Sequence, residues 1–199
     1  VIGRLFNKGI ADFSRLVVIT GSETTERGYV KAIAGCTIAS LVDGKIMRGN
    51  EDIRIISGNV LTGTKVEKND YLGAYDNQVI PEGDETHDFF GWATPGFGKF
   101  SVSHSFPAWL MGKNKEYVID ARIKGGKRAM IMSNEYDSVF PMDIMPEYLL
   151  KAIIAFDIDK MENLGIYEVA PEDFALCEFV DTSKLEIQKI VRQGLDVLY

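Results

Sequence analysis

Cysteine, histidine and long apolar runs are what this 199-residue chain has least of, and each shortage excludes something. The two cysteines, Cys36 and Cys177, form no CxxC pair. They outline no disulfide framework, suit a reducing compartment, and fall short of the thiolates that an iron–sulfur cluster takes. The two histidines, His87 and His104, have no Cys or His at ligand spacing, so a zinc site is not expected. The longest apolar stretch, Leu149 to Phe156, is interrupted by Lys151 and is far shorter than the roughly 20 residues of a spanning helix. No basic start leads into an apolar segment of the signal-peptide kind. The chain opens on Val1 rather than Met, and we expect it to be a piece of a longer protein.

What is present is an ordinary globular mixture, 46% hydrophobic and 26% charged, enough for one large domain or two small ones. The net charge of −7 is unevenly placed: residues 1–134 hold 17 basic and 15 acidic side chains, residues 135–199 hold 5 and 14. This asymmetry points to two domains. It also argues against a nucleic-acid surface in the last third, where phosphates would be repelled.

Local pattern supports the division. Ile2 to Ile10 reads as an initial strand or linker. Arg15 to Thr20 is β-branched and stops at Gly21-Ser22, a strand. Gly28 to Ile33 reads as its antiparallel partner, with Tyr29, Lys31 and Ile33 on one face. Thr37 can cap a short helix over Ile38 to Val42, and Ile53 to Ile56 is a third strand. Strand, strand, short helix, strand is the order of a β-grasp unit. Tyr71–Tyr75 and Gln78–Ile80 read as a hairpin around Asp76-Asn77. Phe89–Ala93 and Phe100–Ser103 read as further strands, and Glu116–Arg122 with Arg128–Met132 as a second hairpin. After Tyr136 the period becomes helical: Pro146 to Ala155, Ile158 to Leu164 ended by Gly165, Pro171 to Val180, and a last helix with a Ser183/Glu186 capping box. The fold class expected is α+β: a β-rich domain with a β-grasp unit over residues 1–135, then a small all-helical domain over 136–199.

The chemistry-bearing patterns are weak. No phosphate loop and no nucleophile elbow is present. Gly96-Phe-Gly98 matches half of a dinucleotide turn, but Ser101 stands where the third glycine should, so a β-turn after Pro95 explains it better. Cys177 lies on an apolar helix face and reads as a buried structural thiol. Asp157, Asp159 and Glu162 lack calcium-loop spacing, and Glu172-Asp173 reads as first-turn acids favoured by a helix dipole. Lys113 to Arg128, with Lys124 and Arg128, carries six basic and two acidic residues and could face an anionic lipid, an acidic partner or a nucleotide. The aromatic span of Phe89, Phe90, Trp92, Phe97, Phe100 and Phe106 reads first as core; a flat ligand such as a quinone is the alternative. From these come the candidate contact residues for a ligand or partner: Trp92, Phe97, Lys99, Phe100, Lys124 and Arg128. No residue qualifies as catalytic, cofactor-binding or metal-ligating.

Longer phrases carry a resemblance. Ile56-Ser-Gly-Asn-Val-Leu-Thr-Gly63 resembles the glycine loop of SLBB (β-grasp) domains. Phe90-Gly-Trp-Ala-Thr-Pro-Gly96 with Lys99-Phe-Ser101, Arg128-Ala-Met130, Phe140-Pro-Met-Asp-Ile144, Pro146 with Leu149-Leu150, Gly165, and Pro171 to Val180 are similar, in order and spacing, to the NqrA subunit of the sodium-pumping NADH:quinone oxidoreductases. The resemblance implies an SLBB-plus-helical, C-terminal portion of an NqrA-like protein. It implies a peripheral scaffold on the cytoplasmic side of the bacterial inner membrane, bound to the other subunits and associated with quinone. NADH and quinone would belong to the whole complex, with no cofactor and no turnover in this portion alone. A quinone-like small-ligand binding module is the alternative function.

Overall fold

The computed structural model describes residues 1–47, 53–83, 100, 102, 110, 116–117, 120–121, 123 and 126–199. The chain forms two compact units, Val1–Phe89 with Val118–Arg122, and Phe90–Tyr117 with Ile123–Tyr199. Of the expected strands, Phe89–Ala93 lies outside the described residues, as do all but Phe100 and Val102 of Phe100–Ser103.

The first unit is built on a mixed sheet of five strands in the order β2-β1-β5-β3-β4. The strands are β1 (Ser14–Ile19), β2 (Gly28–Ile33), β3 (Ile53–Ser57), β4 (Thr64–Val66) and β5 (Gln78–Gly83). The β1–β2 hairpin is antiparallel, with Leu16 opposite Lys31 and Val18 opposite Tyr29. β5 runs parallel to β1 and antiparallel to β3. Period-two alternation puts Val17 and Ile19 into the core while Leu16 faces outward. Helix α2 (Ile38–Val42) buries Ile38, Leu41 and Val42, the i, i+3, i+4 stripe, in the same cluster as Val17, Ile19, Ile55, Leu72 and Val79.

Pro81 sits inside β5 without breaking the ladder. Opposite Ile55, it occupies a position whose N–H would point toward β1, one step past the bond from the Thr20 N–H to the Val79 carbonyl at 3.1 Å. Its carbonyl still accepts from the Glu23 N–H, at 3.3 Å. The missing donor falls at the end of the ladder, where the Thr20 carbonyl takes the Thr24 hydroxyl instead, at 3.4 Å.

Two local expectations in this unit are revised. Ile2–Lys8 is a helix, α1, closed by Gly9 in the left-handed region at φ 68°, not a strand or linker. The spacing of Ile2, Leu5 and Phe6 already fits one helical face. Tyr71–Ile80 is no hairpin: Tyr71 bridges to Thr37, and Arg15 donates to the Ala74 and Asp76 carbonyls at 2.6 and 2.8 Å. That clamp turns the chain and sends β5 between β1 and β3.

The second unit is helical where it is described. A single 3-10 turn at Tyr136–Ser138 precedes α3 (Pro146–Ile154), with Pro146 at the N-terminus. α4 (Ile158–Asn163) is capped by Asp157, whose carboxylate accepts from the Lys160 N–H at 3.2 Å. A 3-10 turn at Pro171–Phe174 runs into α5 (Ala175–Val180), and Asp173 reaches back to the Ala170 N–H at 2.8 Å. α6 (Ile187–Leu198) closes the unit. Leu149, Leu150, Met161, Ile166, Phe174, Ile187 and Val191 form one buried cluster, each worth about 1.5–3 kcal/mol when fully withdrawn from water.

The Ser183/Glu186 capping box does not form. Lys184 adopts φ 58°, so residues 183–186 make no helical turn, and the Ser183 hydroxyl is buried without a hydrogen-bond partner. The α6 start is held instead by Glu178 of α5, which accepts from the Gln188 N–H at 2.9 Å. Arg128–Met132, expected as half of a hairpin, belongs to no strand; the Arg128 N–H donates to the Ser183 carbonyl at 2.9 Å.

Candidate functional site

Four of the six candidate contact residues, Trp92, Phe97, Lys99 and Lys124, lie outside the described residues. Phe100 is half-buried. Its ring stacks on Phe179 at 6.1 Å and tilts against Tyr117 at 5.4 Å, an arrangement that aromatic quadrupoles favour. Arg128 is exposed. Its neighbour Lys127 pairs with Glu186 at 2.7 Å, and this pair with Lys189 holds the Glu186 carboxyl below its usual range. His87 and His104 are likewise outside the described residues, and among those described no group of three or more His, Cys, Asp or Glu is placed to hold a metal ion.

The glycine loop of the first unit is the feature most densely bonded to itself. Asn59 Oδ1 accepts from the Leu61 and Thr62 N–H groups, both at 2.8 Å, and its amide nitrogen donates to the Thr62 hydroxyl at 2.6 Å. A Cβ on Gly63 would lie 2.7 Å from the Ser57 carbonyl oxygen and 2.6 Å from Ile56 Cγ2. Gly58 has φ 97°, which an L side chain rarely adopts. The buried Ser57 hydroxyl donates to Asp76 at 2.5 Å and accepts from the Gly73 N–H at 3.1 Å. The loop's polar groups are spent on its own geometry.

Ionisable groups in the second unit are packed for structure. Asp181, 2% exposed, accepts from the Tyr136 hydroxyl at 2.7 Å and from the Ser183 and Leu185 N–H groups at 3.0 and 2.7 Å. Burial, then the bond to Asp181, raises the Tyr136 phenol well above its ordinary range. Glu147, 3% exposed, accepts from the Ser133 and Asn134 N–H groups at 3.0 and 2.7 Å and fixes the approach to α3. Burial pushes the Cys177 thiol up to about 12, far from the thiolate that nucleophilic work requires. Sequence reasoning missed Asp181 and Glu147, because a single acid in a run of acids shows no sign of burial. A cleft of about 560 Å³ opens between Phe140, Met142, Ile144 and Leu164, with Asp137, Asp143 and Glu168 around it. No described helix is long and apolar enough to cross a membrane.

The segment that carries the glycine loop is an SLBB domain: residues 16–68 match the family described as the NQRA C-terminal domain. The chain is homologous over nearly its whole length to NqrA, a subunit of the Na(+)-translocating NADH-quinone reductase. It is 36% identical to the NqrA of Rhodopirellula baltica, with 99% of this chain and 43% of the relative aligned. For Neisseria meningitidis serogroup B the identity is 34%, over 99% and 44%, and for Shewanella frigidimarina 36%, over 98% and 44%. The chain thus spans less than half the length of these curated relatives.

Proposed function

We propose that this chain is a docking portion of the peripheral NqrA subunit of a sodium-pumping NADH:quinone oxidoreductase, seated on the cytoplasmic side of the bacterial inner membrane. The observation that carries the reading is homology at 34–36% identity across 98–99% of the chain. Its role is to bind the other subunits of the complex, while NADH oxidation, quinone reduction and sodium export belong to the assembly. The packing supports docking over chemistry: Cys177, Tyr136 and Asp181 are all locked inside the helical core. The test is affinity purification of the tagged full-length protein from membranes. Co-purification of the membrane subunits is expected, with no NADH oxidation by the 199-residue chain alone. A full-length protein that never associates with them sinks the reading.

One observation favours a second reading, a module for a quinone-like ring. Phe179 leaves 40% of its surface exposed beside Phe100, an open aromatic flank on which a flat ligand can stack. Titration with a short-chain quinone, followed by NMR, should then shift Phe100 and Phe179 saturably. Flat traces at both rings count against it.

A further inference from the structure

The β2 edge of the sheet carries backbone groups, apolar side chains and charge that point to one kind of occupant. β2 is terminal in the strand order, and its inward bonds fall on alternate residues. The Ala34 N–H donates to the Phe13 carbonyl at 3.0 Å, and the register continues it as Ala32 with Arg15 and Val30 with Val17. Antiparallel alternation therefore turns the N–H and C=O of Tyr29 and Lys31, and the N–H of Ile33, away from β1. No described residue bonds them; the Ile33 carbonyl alone is taken, by the Cys36 N–H at 3.0 Å.

The side chains of the same three residues share the sheet face that holds Leu16. Tyr29, Ile33 and Leu16 are 76%, 66% and 63% exposed, an apolar row of the kind that marks an interaction surface. Beside it, Arg4 and Lys8 of α1 join Lys31, Leu16 and Asp12 around a concavity of about 320 Å³. Asp12 is the only carboxylate among the described residues that line it, and it is already paired with Arg4 at 3.0 Å.

We propose that the β2 edge is a docking site for an extended segment of a partner polypeptide, one that alternates apolar and acidic residues and adds to the sheet beside β2. The outward backbone groups select a peptide, because only another main chain offers N–H and C=O at strand spacing. The exposed row takes its apolar side chains, and Lys31 with Lys8 takes its carboxylates. A membrane surface would use the cations and the apolar row but leave the backbone groups unmet. This site deepens the docking reading above and rests on it.

The probe is a synthetic peptide of about eight residues alternating valine with glutamate, set against its valine–lysine counterpart and phosphatidylglycerol vesicles, with the 199-residue chain. The expected result is saturable binding of the acidic peptide at low salt, with slowed amide exchange at Tyr29, Lys31 and Ile33. Lys31→Glu should weaken it about threefold to tenfold and favour the basic peptide. Lys31→Pro, which removes an outward donor and spares the bonds to β1, should abolish it while the circular dichroism spectrum stays unchanged. Equal binding of both peptides, protection elsewhere, or protection of these amides by vesicles alone overturns the site. Co-purification of the membrane subunits that survives Lys31→Pro also overturns it and leaves the docking reading standing.

Discussion

Tyr136 and Asp181 meet across 45 positions of sequence, and their bond joins the first turn of the helical unit to the loop before its last helix. A buried carboxylate that loses a donor bears the full cost of desolvation. Tyr136→Phe should therefore lower stability by about 2 kcal/mol, read as a lower urea midpoint at unchanged slope. Cys177 gives the unit a pH dependence. Its thiol titrates near 9 when exposed and near 12 in the fold, so between those values the unfolded chain has lost a proton that the folded chain keeps. Stability present below about pH 9 should fall as pH rises through that window. Urea titrations between pH 8 and pH 10, with Cys177→Ala as the comparison, check it: the variant should have the shallower decline. The buried thiol was legible from its apolar helix face. The Asp181 network was not, because its donors are a phenol far away in sequence and N–H groups that any residue supplies.

Short elements were legible in proportion to how local their causes are. β1, β2, α2 and α3 follow from alternation, helical spacing and Pro146. The start of α6 did not follow, because Glu178 on a neighbouring helix supplies the cap and the left-handed Lys184 displaces the motif that the sequence spells. The hairpin at Asp76-Asn77 failed for a similar reason: Arg15, about sixty positions away, fixes the carbonyls of that turn. The glycine loop was recognised as a phrase, and its geometry explains the phrase. Gly63→Ala would drive a methyl group into Ser57 and Ile56 and should cost about 2–4 kcal/mol. Thermal unfolding of the variant should show the loss as a lower Tm. Of the candidate contact residues that are described, Phe100 stacks on Phe179 of its own unit, and Arg128 is exposed with its N–H bonded to the Ser183 carbonyl.

Charge is the property that only the whole molecule shows. The 14 acidic side chains against 5 basic ones after residue 134 are offset within their own unit, because residues 90–117 and 123–134 bring it six basic side chains and one acidic; the two units carry −3 and −4. Raising sodium chloride from about 0.05 to about 0.5 M shrinks the screening length severalfold. Amide exchange at Leu149 and Val191 should therefore respond about as much as at Val17 and Ile55, since neither unit carries a dominant excess of one sign. The strand order has a consequence of another kind. β5 lies between β1 and β3 and pairs with both, yet it is the last of the five strands to leave the ribosome. Until Gly83 has emerged, the β1–β2 and β3–β4 pairs are two separate ribbons, each with the backbone edge that β5 will meet still unpaired. The parallel contact of Val18 with Gln78 closes a loop of about sixty residues, an entropically slow step. The nascent chain therefore passes through an interval in which its central seam is open, and the speed of translation sets how long that interval lasts.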